Sequence, residues 1–310
     1  MLSREELTDG EWAVLEPLLP KSNHRCGRWR DHRQVINGII HRLSTGCQRR
    51  KLPERFGPWQ TVHKRHMLWS ADGTWERLLQ HVQAAADAAG EVDWNINIDS
   101  TSIRAHHHAA GAPRSTATSR CLKRGRVKIT SHARACGRCG LPGGGGAAGE
   151  ALGRARGGLT TKIHLSADGR CRPLSLLVTP GQRADCTQFE PVMDKIRVPR
   201  LGPGRPRRRP DSVAADKAYS NGVIRSCLRR RGIRHAIPEK SDSKSARLRR
   251  GSRGGRPPGF DKVRYRARNT VERAVNKLKQ FRAVATRYDK RGYVYLGTVT
   301  AAALLIWLRS

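Results

Sequence analysis

The sequence predicts an α/β protein, a mixed-sheet domain preceded by a helical region. Three observations predict it. Residues 1 to about 92 space their apolar side chains for helices, alternation of period two begins near Trp94, and short apolar runs then interleave with helical segments. The boundary falls at the change of period, giving a helical region over 1–92 and a sheet-containing domain over 93–310.

The first helix starts at a Thr8-x-x-Glu11 capping box, carries Trp12, Leu15, Leu18 and Leu19, and stops at Pro20. Asp31 caps a second helix with the stripe Val35, Ile36, Ile39, Ile40 and Leu43. Leu52 to Phe56, Gly57-Pro58, then Trp59 to Trp69 reads as helix, turn, helix. Thr61, His63, Lys64 and Arg65 would line its exposed side, an arrangement suited to a DNA major groove. A helix over about 74–88 closes the region. Trp59, Trp69 and Trp75 read as core anchors.

In the second domain, Trp94, Ile96 and Ile98 alternate with polar residues as in a strand that ends near Asp99. Residues 109–158 lose periodicity and read as a loop. Thr160 to Ser166 and Leu174 to Thr179 read as a hairpin turning at Asp168-Gly169. A helix over 185–196, a strand at 213–215, a helix over 223–231 and a strand at 234–237 follow. Residues 239–260 read as a basic Gly/Pro-rich loop, and two helices complete the chain from about Asp261.

The 310 residues include 61 Lys+Arg against 25 Asp+Glu, a net charge of +36 that rules out a protein avoiding polyanions and leaves nucleic acid and anionic membrane as the usual partners. With 37% hydrophobic residues the chain can bury a core, which excludes wholesale disorder. The apolar stretch Tyr293 to Leu308 is short for a membrane span and is broken by Gly297, Thr298 and Thr300, so it reads as a buried helix. No secretory signal is visible at the N-terminus. The 8 cysteines are mostly isolated, as expected of reduced thiols in a cytoplasmic protein.

Three acidic residues stand out against this basic background. Asp99 and Asp216 each follow an apolar strand, where α/β sheets place ligand sites, although a strand-end Asp can also serve simply as a turn cap. Glu272 lies in a helical segment with Tyr265, Arg268 and Lys279. At about 100° per residue, Arg268, Glu272 and Lys279 fall roughly 300°, 340° and 320° from Tyr265, on one face. A carboxylate flanked by two cations and a phenol suits a metal beside phosphates. The alternative is simple i,i+4 pairing of Arg268 with Glu272.

The pattern Tyr265-x2-Arg268-x3-Glu272-x6-Lys279 resembles the signature of the DDE transposases of bacterial insertion sequences, in the branch named for insertion sequence five. The resemblance extends over Leu52 to Trp59, Trp69 to Trp75, Asp99-Ser100-Thr101 with Arg104-Ala105-His106, Lys162 to Leu165, Ala215 to Tyr219 and Ala285 to Lys290. It implies an RNase H-like catalytic domain behind a DNA-binding, helix-turn-helix-like region. It matches Asp99, Asp216 and Glu272 to the metal-binding catalytic acids. It matches Tyr265, Arg268 and Lys279 to positions that contact the element end. It further implies two Mg²⁺ or Mn²⁺ ions, cleavage at inverted-repeat ends, transfer of the 3′-OH ends to target DNA, a homo-oligomer on DNA, no membrane partner and a nucleoid-associated location. A decayed copy acting as a DNA-binding repressor, or a nuclease without strand transfer, are the competing readings.

Other motifs have plainer expectations. His106-His107-His108 more readily contacts DNA or carboxylates than a metal. Cys136-x2-Cys139, with only Cys121 and His132 nearby, is a weak zinc pattern. The segment Gln48 to Lys51 and the Cys- and Arg-rich stretch 121–139 depart from the family pattern.

Overall fold

A computed structural model describes residues 6–20, 29–110, 150–155 and 158–310. Helix α1 (Asp9–Leu15) begins at the expected capping box, with Thr8 and Glu11 each accepting the other's backbone N–H. Helix α2 (His32–Thr45) is capped by Asp31, whose carboxylate accepts the N–H groups of Arg33 and Gln34. Helices α3 (Trp59–Ala71) and α4 (Thr74–Ala88) follow. The expected helix before α3 is only a 3-10 turn, Glu54–Phe56. Pro53 on one side and Gly57-Pro58 on the other leave too few residues for an α-helix there.

The sheet has seven strands among the described residues: β1 (Asn95–Ala105), β2 (Gly153–Ala155), β3 (Gly158–Ala167), β4 (Pro173–Pro180), β5 (Ser212–Ala215), β6 (Arg234–Ala236) and β7 (Thr286–Arg287). The order is β2-β3-β1-β5-β6, with β4 also on β3 and β7 also on β1. Strand β3 runs antiparallel to β1, β2 and β4, whereas β5 and β7 run parallel to β1, and β6 parallel to β5. This is the expected mixed sheet.

The helices of this half are α5 (His107–Ala110), α6 (Phe189–Lys195), α7 (Gly222–Arg230), α8 (Ser241–Arg249), α9 (Lys262–Arg266), α10 (Asn269–Lys279), α11 (Arg282–Ala285) and α12 (Gly292–Leu308). Three expectations are corrected here. Strand β1 does not end at Asp99 but continues to Ala105, because Ser100, Thr101 and Ser102 pair in register with His164, Ile163 and Lys162. The segment 239–260 is not all loop. Residues 241–249 contain no Gly or Pro and form α8, which Arg247 ties to the Glu239 carboxylate through two hydrogen bonds of 3.2 and 3.1 Å. The chain beyond Asp261 forms four helices rather than two. The expected loop over 109–158 contains α5's end and β2, and Cys121, His132, Cys136 and Cys139 lie outside the described residues.

Helix α12 joins the two halves. Buried along almost its whole length, it packs against α3, α4 and β4, and one hydrophobic core runs from Leu7 to Trp307. Gly297 lies so close to Ser70 of α3 that a Cβ there would overlap the serine hydroxyl. The α12 helix is the expected buried segment, and among the described residues no helix is long and apolar enough to cross a membrane.

A polar network crosses the same junction. The Asp289 carboxylate, 1% exposed, accepts from Arg42 at 2.9 Å, from Arg49 at 3.4 Å and from the Thr298 hydroxyl at 2.9 Å. Thr298 meets His66 Nε2 at 3.1 Å, and Trp75 donates its indole N–H to His66 Nδ1 at 3.2 Å. His66 Nδ1 is thus an acceptor, and burial holds the imidazole neutral, pushing its pKa down to about 3. Arg49 belongs to the segment that departs from the family pattern, yet it docks in this network.

Candidate active site

The register of the sheet brings the first two acids together. Ile98 of β1 pairs with Ala215 of β5, so Asp99 and Asp216 are the next residues along two adjacent parallel chains. Neighbouring strands lie about 4.8 Å apart. Asp216 caps a 3-10 turn, accepting the Lys217 N–H at 2.6 Å. Asp99 accepts the N–H of Ser100 at 2.8 Å.

Glu272 comes from α10, which lays Val271, Ala274, Val275 and Leu278 into the core. The single continuous helix expected from Tyr265 to Lys279 does not form, because the chain breaks at Ala267 and Arg268 between α9 and α10. There the backbone takes i→i+3 bonds, Arg268 N–H to Tyr265 and Val271 N–H to Arg268. The angular calculation therefore does not carry across the break.

Arg268 nevertheless joins the acids. One guanidinium nitrogen donates to Glu272 at 2.7 Å and another to Asp99 at 2.9 Å. The i,i+4 pair exists, and it extends to a second carboxylate. Burial pushes the Asp99 carboxyl up, as do the charges of Asp216 and Glu272, while the Ser100 N–H and Arg268 oppose the shift. Arg268 loses water by burial, but Asp99 and Glu272 more than offset this and hold it firmly protonated. Tyr265 faces the same group. Burial raises its phenol pKa, and Asp216, Glu272 and Asp99 add to the rise. Lys279 is exposed at the far end of α10, seven residues or about 10 Å beyond Glu272.

Two residues that sequence reasoning missed hold this assembly. Arg264 of α9 donates to Ser212 at 2.7 Å, to Asn97 at 3.0 Å and to the Ile96 carbonyl at 2.6 Å. Asn97, fully buried two residues before Asp99, donates to the Thr270 hydroxyl and to the Ala267 carbonyl. Together they clamp the α9–α10 junction onto β1, and so set where Arg268 and Glu272 stand relative to Asp99. In the sequence Arg264 is one arginine among many. Asn97 looked like a solvent-facing strand residue. Arg264→Ala is expected to cost about 2–3 kcal/mol of stability, since it strands three acceptors around a lost charged donor. Chemical denaturation measures this, and a loss below about 0.5 kcal/mol would contradict the clamp.

The opposite face of β1 and β3 carries a second polar group. Lys162 pairs with Asp185 at 2.9 Å, and His164 lies 3.9 Å from the same oxygen. Burial lowers His164 to about 4, so its imidazole is neutral. Tyr219, three residues after Asp216, is buried, and burial together with Asp185 and Asp99 keeps its phenol protonated.

On α3, Lys64 is exposed and Arg65 is not. The Arg65 guanidinium lies 3.9 Å from the Trp29 ring centroid and 5.4 Å from that of Trp69, and it donates to His32 Nδ1 at 2.8 Å. The expected exposed stripe is therefore corrected at Arg65, whose guanidinium packs against two indoles even though burial lowers its pKa.

Comparison with known proteins adds the following. Residues 7–79 match the family model described as putative transposase of the IS4/5 family, and residues 93–307 match the transposase DDE domain. A putative transposase for insertion sequence element IS6501 from Brucella ovis is 28% identical over 151 residues, 49% of this chain and 100% of the relative. A putative transposase for insertion sequence element IS402 from Burkholderia cepacia is 32% identical over 142 residues, 46% of this chain and 59% of the relative. An uncharacterised protein, y4sN, from Sinorhizobium fredii is 31% identical over 109 residues, 35% of this chain and 83% of the relative. No solved structure matches. With the domain match spanning the sheet, the three acids and α12, on an RNase H-like fold, the chain belongs to the DDE transposase family of insertion sequences.

Proposed function

We propose that this transposase cuts at the inverted-repeat ends of its element and joins the freed 3′-OH ends to target DNA. The observation that supports this most is the bridging of Asp99 and Glu272 by Arg268, with Asp216 following the adjacent parallel strand β5. In the first step a water oxygen attacks the scissile phosphorus, and the 3′ oxygen leaves with a proton. In the second, that 3′-OH attacks a target phosphodiester, and the target's own 3′ oxygen leaves.

All the acidic donors are oxygens, which suit Mg²⁺ or Mn²⁺. The mutual repulsion that helps raise Asp99 is the charge imbalance that cations between the carboxylates would relieve. Asp99, Asp216 and Glu272 would hold two such ions, whose chemistry is to stabilise charge on the attacking and leaving oxygens. Arg268 supplies positive charge between Asp99 and Glu272 in the absence of DNA, and its forked guanidinium suits a phosphate when DNA arrives. Tyr265, protonated, donates to a phosphate oxygen. Lys279 contacts the backbone of the element end farther along α10. A paired-end reaction calls for at least two chains.

The helical region binds DNA through exposed side chains such as Lys64, aided by the +36 net charge. Arg65 contributes by packing. Lys64→Ala is expected to weaken DNA binding and reduce its salt dependence without changing the melting temperature, whereas Arg65→Ala lowers the melting temperature. Filter binding at several salt concentrations beside thermal melts separates the two, and an unchanged melt for Arg65→Ala would refute its packing role.

The function is tested with labelled element ends, supercoiled target DNA and Mg²⁺ or Mn²⁺. Metal-dependent nicking and joined product support the proposal. Binding without cleavage would favour a repressor, and cleavage without joining a nuclease.

A further inference from the structure

Beyond the carboxylate centre, we propose that His106, His107 and His108 form a second metal site, for a borderline divalent cation of the Zn²⁺, Ni²⁺ or Cu²⁺ class. Consecutive residues on a helix normally point about 100° apart and do not face one another. Here they converge. Their ring centroids lie 4.0, 4.8 and 4.2 Å apart, and one donor atom from each falls within 4.8 Å of the others.

The backbone fixes this convergence. Strand β1 ends by pairing Arg104 and Ala105 with Thr286 and Arg287 of β7. The His106 N–H then donates to the Arg287 carbonyl at 2.9 Å, and the Ala109 N–H to the His106 carbonyl at 2.8 Å. The His106 ring also lies 4.9 Å from that of Tyr288. Two imidazoles on the exposed side of this turn are free to adjust around a third held at the strand end.

The chemistry favours a metal over a phosphate. Three imidazoles this close repel one another when protonated. Among the described residues no carboxylate forms an ion pair with any of the three. Converging imidazole nitrogens are good ligands for late first-row cations. A tetrahedral Zn²⁺ with bonds of about 2.0–2.1 Å places its nitrogens about 3.3 Å apart. The tract therefore needs to contract by about 1.5 Å, within reach of rotation about the exposed His107 and His108 side chains. The fourth position would be water. The site is distinct from the carboxylate centre: His106 follows Asp99 by seven residues of extended chain, roughly 20 Å.

The test uses the full chain, freed of nucleic acid and with its cysteines alkylated so that thiolates are silent. Zn²⁺ alone is titrated against a chromophoric chelator. One Zn²⁺ per chain is expected, bound with a Kd of about 10 μM or tighter. His107→Gln with His108→Gln should weaken it at least tenfold, and Asp99→Asn should leave it unchanged. Both histidines are exposed, so the variant keeps the fold. Independently, Cu²⁺ on the parent chain should show an electron paramagnetic resonance spectrum with coupling to three nitrogens. No Zn²⁺ binding by the alkylated parent, equal affinity in the variant, or a Cu²⁺ spectrum without multiple nitrogen couplings would each overturn the site. None of these readouts depends on DNA cleavage.

Discussion

Asp99→Asn, Asp216→Asn and Glu272→Gln are each expected to lower DNA cleavage by about a thousandfold or more, roughly 4 kcal/mol of transition-state stabilisation. Each change keeps the shape of the side chain and removes one anionic oxygen donor. Folding should survive. Asp99 sits near two other negative charges, and burial already disfavours its ionised form. Its neutral isostere therefore relieves repulsion while giving up one arm of the Arg268 bridge. The melting temperature is expected to hold or rise slightly, and DNA binding without metal to persist. Single-turnover nicking assays in Mg²⁺ and in Mn²⁺, beside thermal melts, make the comparison. Activity above a tenth of the parent's in any of the three variants would remove that residue from the catalytic centre.

Asp289→Asn is expected to be the most damaging change to the fold, by about 3–5 kcal/mol. Removing this charge leaves Arg42 and Arg49 facing a neutral amide in a buried place, and it breaks the chain through Thr298 to His66. Against a total stability of about 5–15 kcal/mol that is a large share, and a fall in melting temperature on the order of 10 °C follows.

The same network sets an acid limit. His66 is held neutral down to about 3, whereas in the unfolded chain it takes a proton near its ordinary value of 6.5. As pH falls through that interval the unfolded state binds a proton the folded state refuses, so stability declines. Asp289 acts in the same direction at lower pH. Arg42 and its other partners outweigh its burial and hold its carboxyl well below the usual range. The stability it contributes is complete above the unfolded carboxylate pKa of about 4 and is lost as pH falls through the depressed folded value. Melting temperatures measured from pH 7 to 3 should fall throughout. His66→Asn should flatten the upper part of that decline, and an unaltered profile would show that His66 does not titrate as described.

How far the sequence revealed this site depends on what each residue competes against. Asp216 and Glu272 were legible because acids are scarce in this chain and each ends or flanks an apolar pattern. Asp99 was legible as a residue but not in its place. The polar run Ser100 to Ser102 reads as a strand end, and only pairing with β3 turns it into mid-strand. Asn97 was hidden because alternation assumes one wet face, whereas α9 and α10 cover the second face of β1. Arg65 misled for a related reason. A basic residue at helical spacing suggests an exposed face until Trp29 and Trp69 are seen packed against it. Local periodicity reports which residues share a face, and it is silent on what a distant segment brings to that face.

Helix α12 has a consequence for gene decay. The segment 292–308 supplies the surface on which α3 and α4 rest. A frameshift or stop codon upstream of it therefore removes more than a terminal helix. The surviving fragment is expected to expose the apolar faces of the earlier helices, including Trp75, Leu78 and Leu79, and so to be open to proteolysis. Damaged copies of the element would thus fall silent instead of interfering with intact ones, so that dominance between copies has to arise from full-length chains carrying a defect in the carboxylate centre.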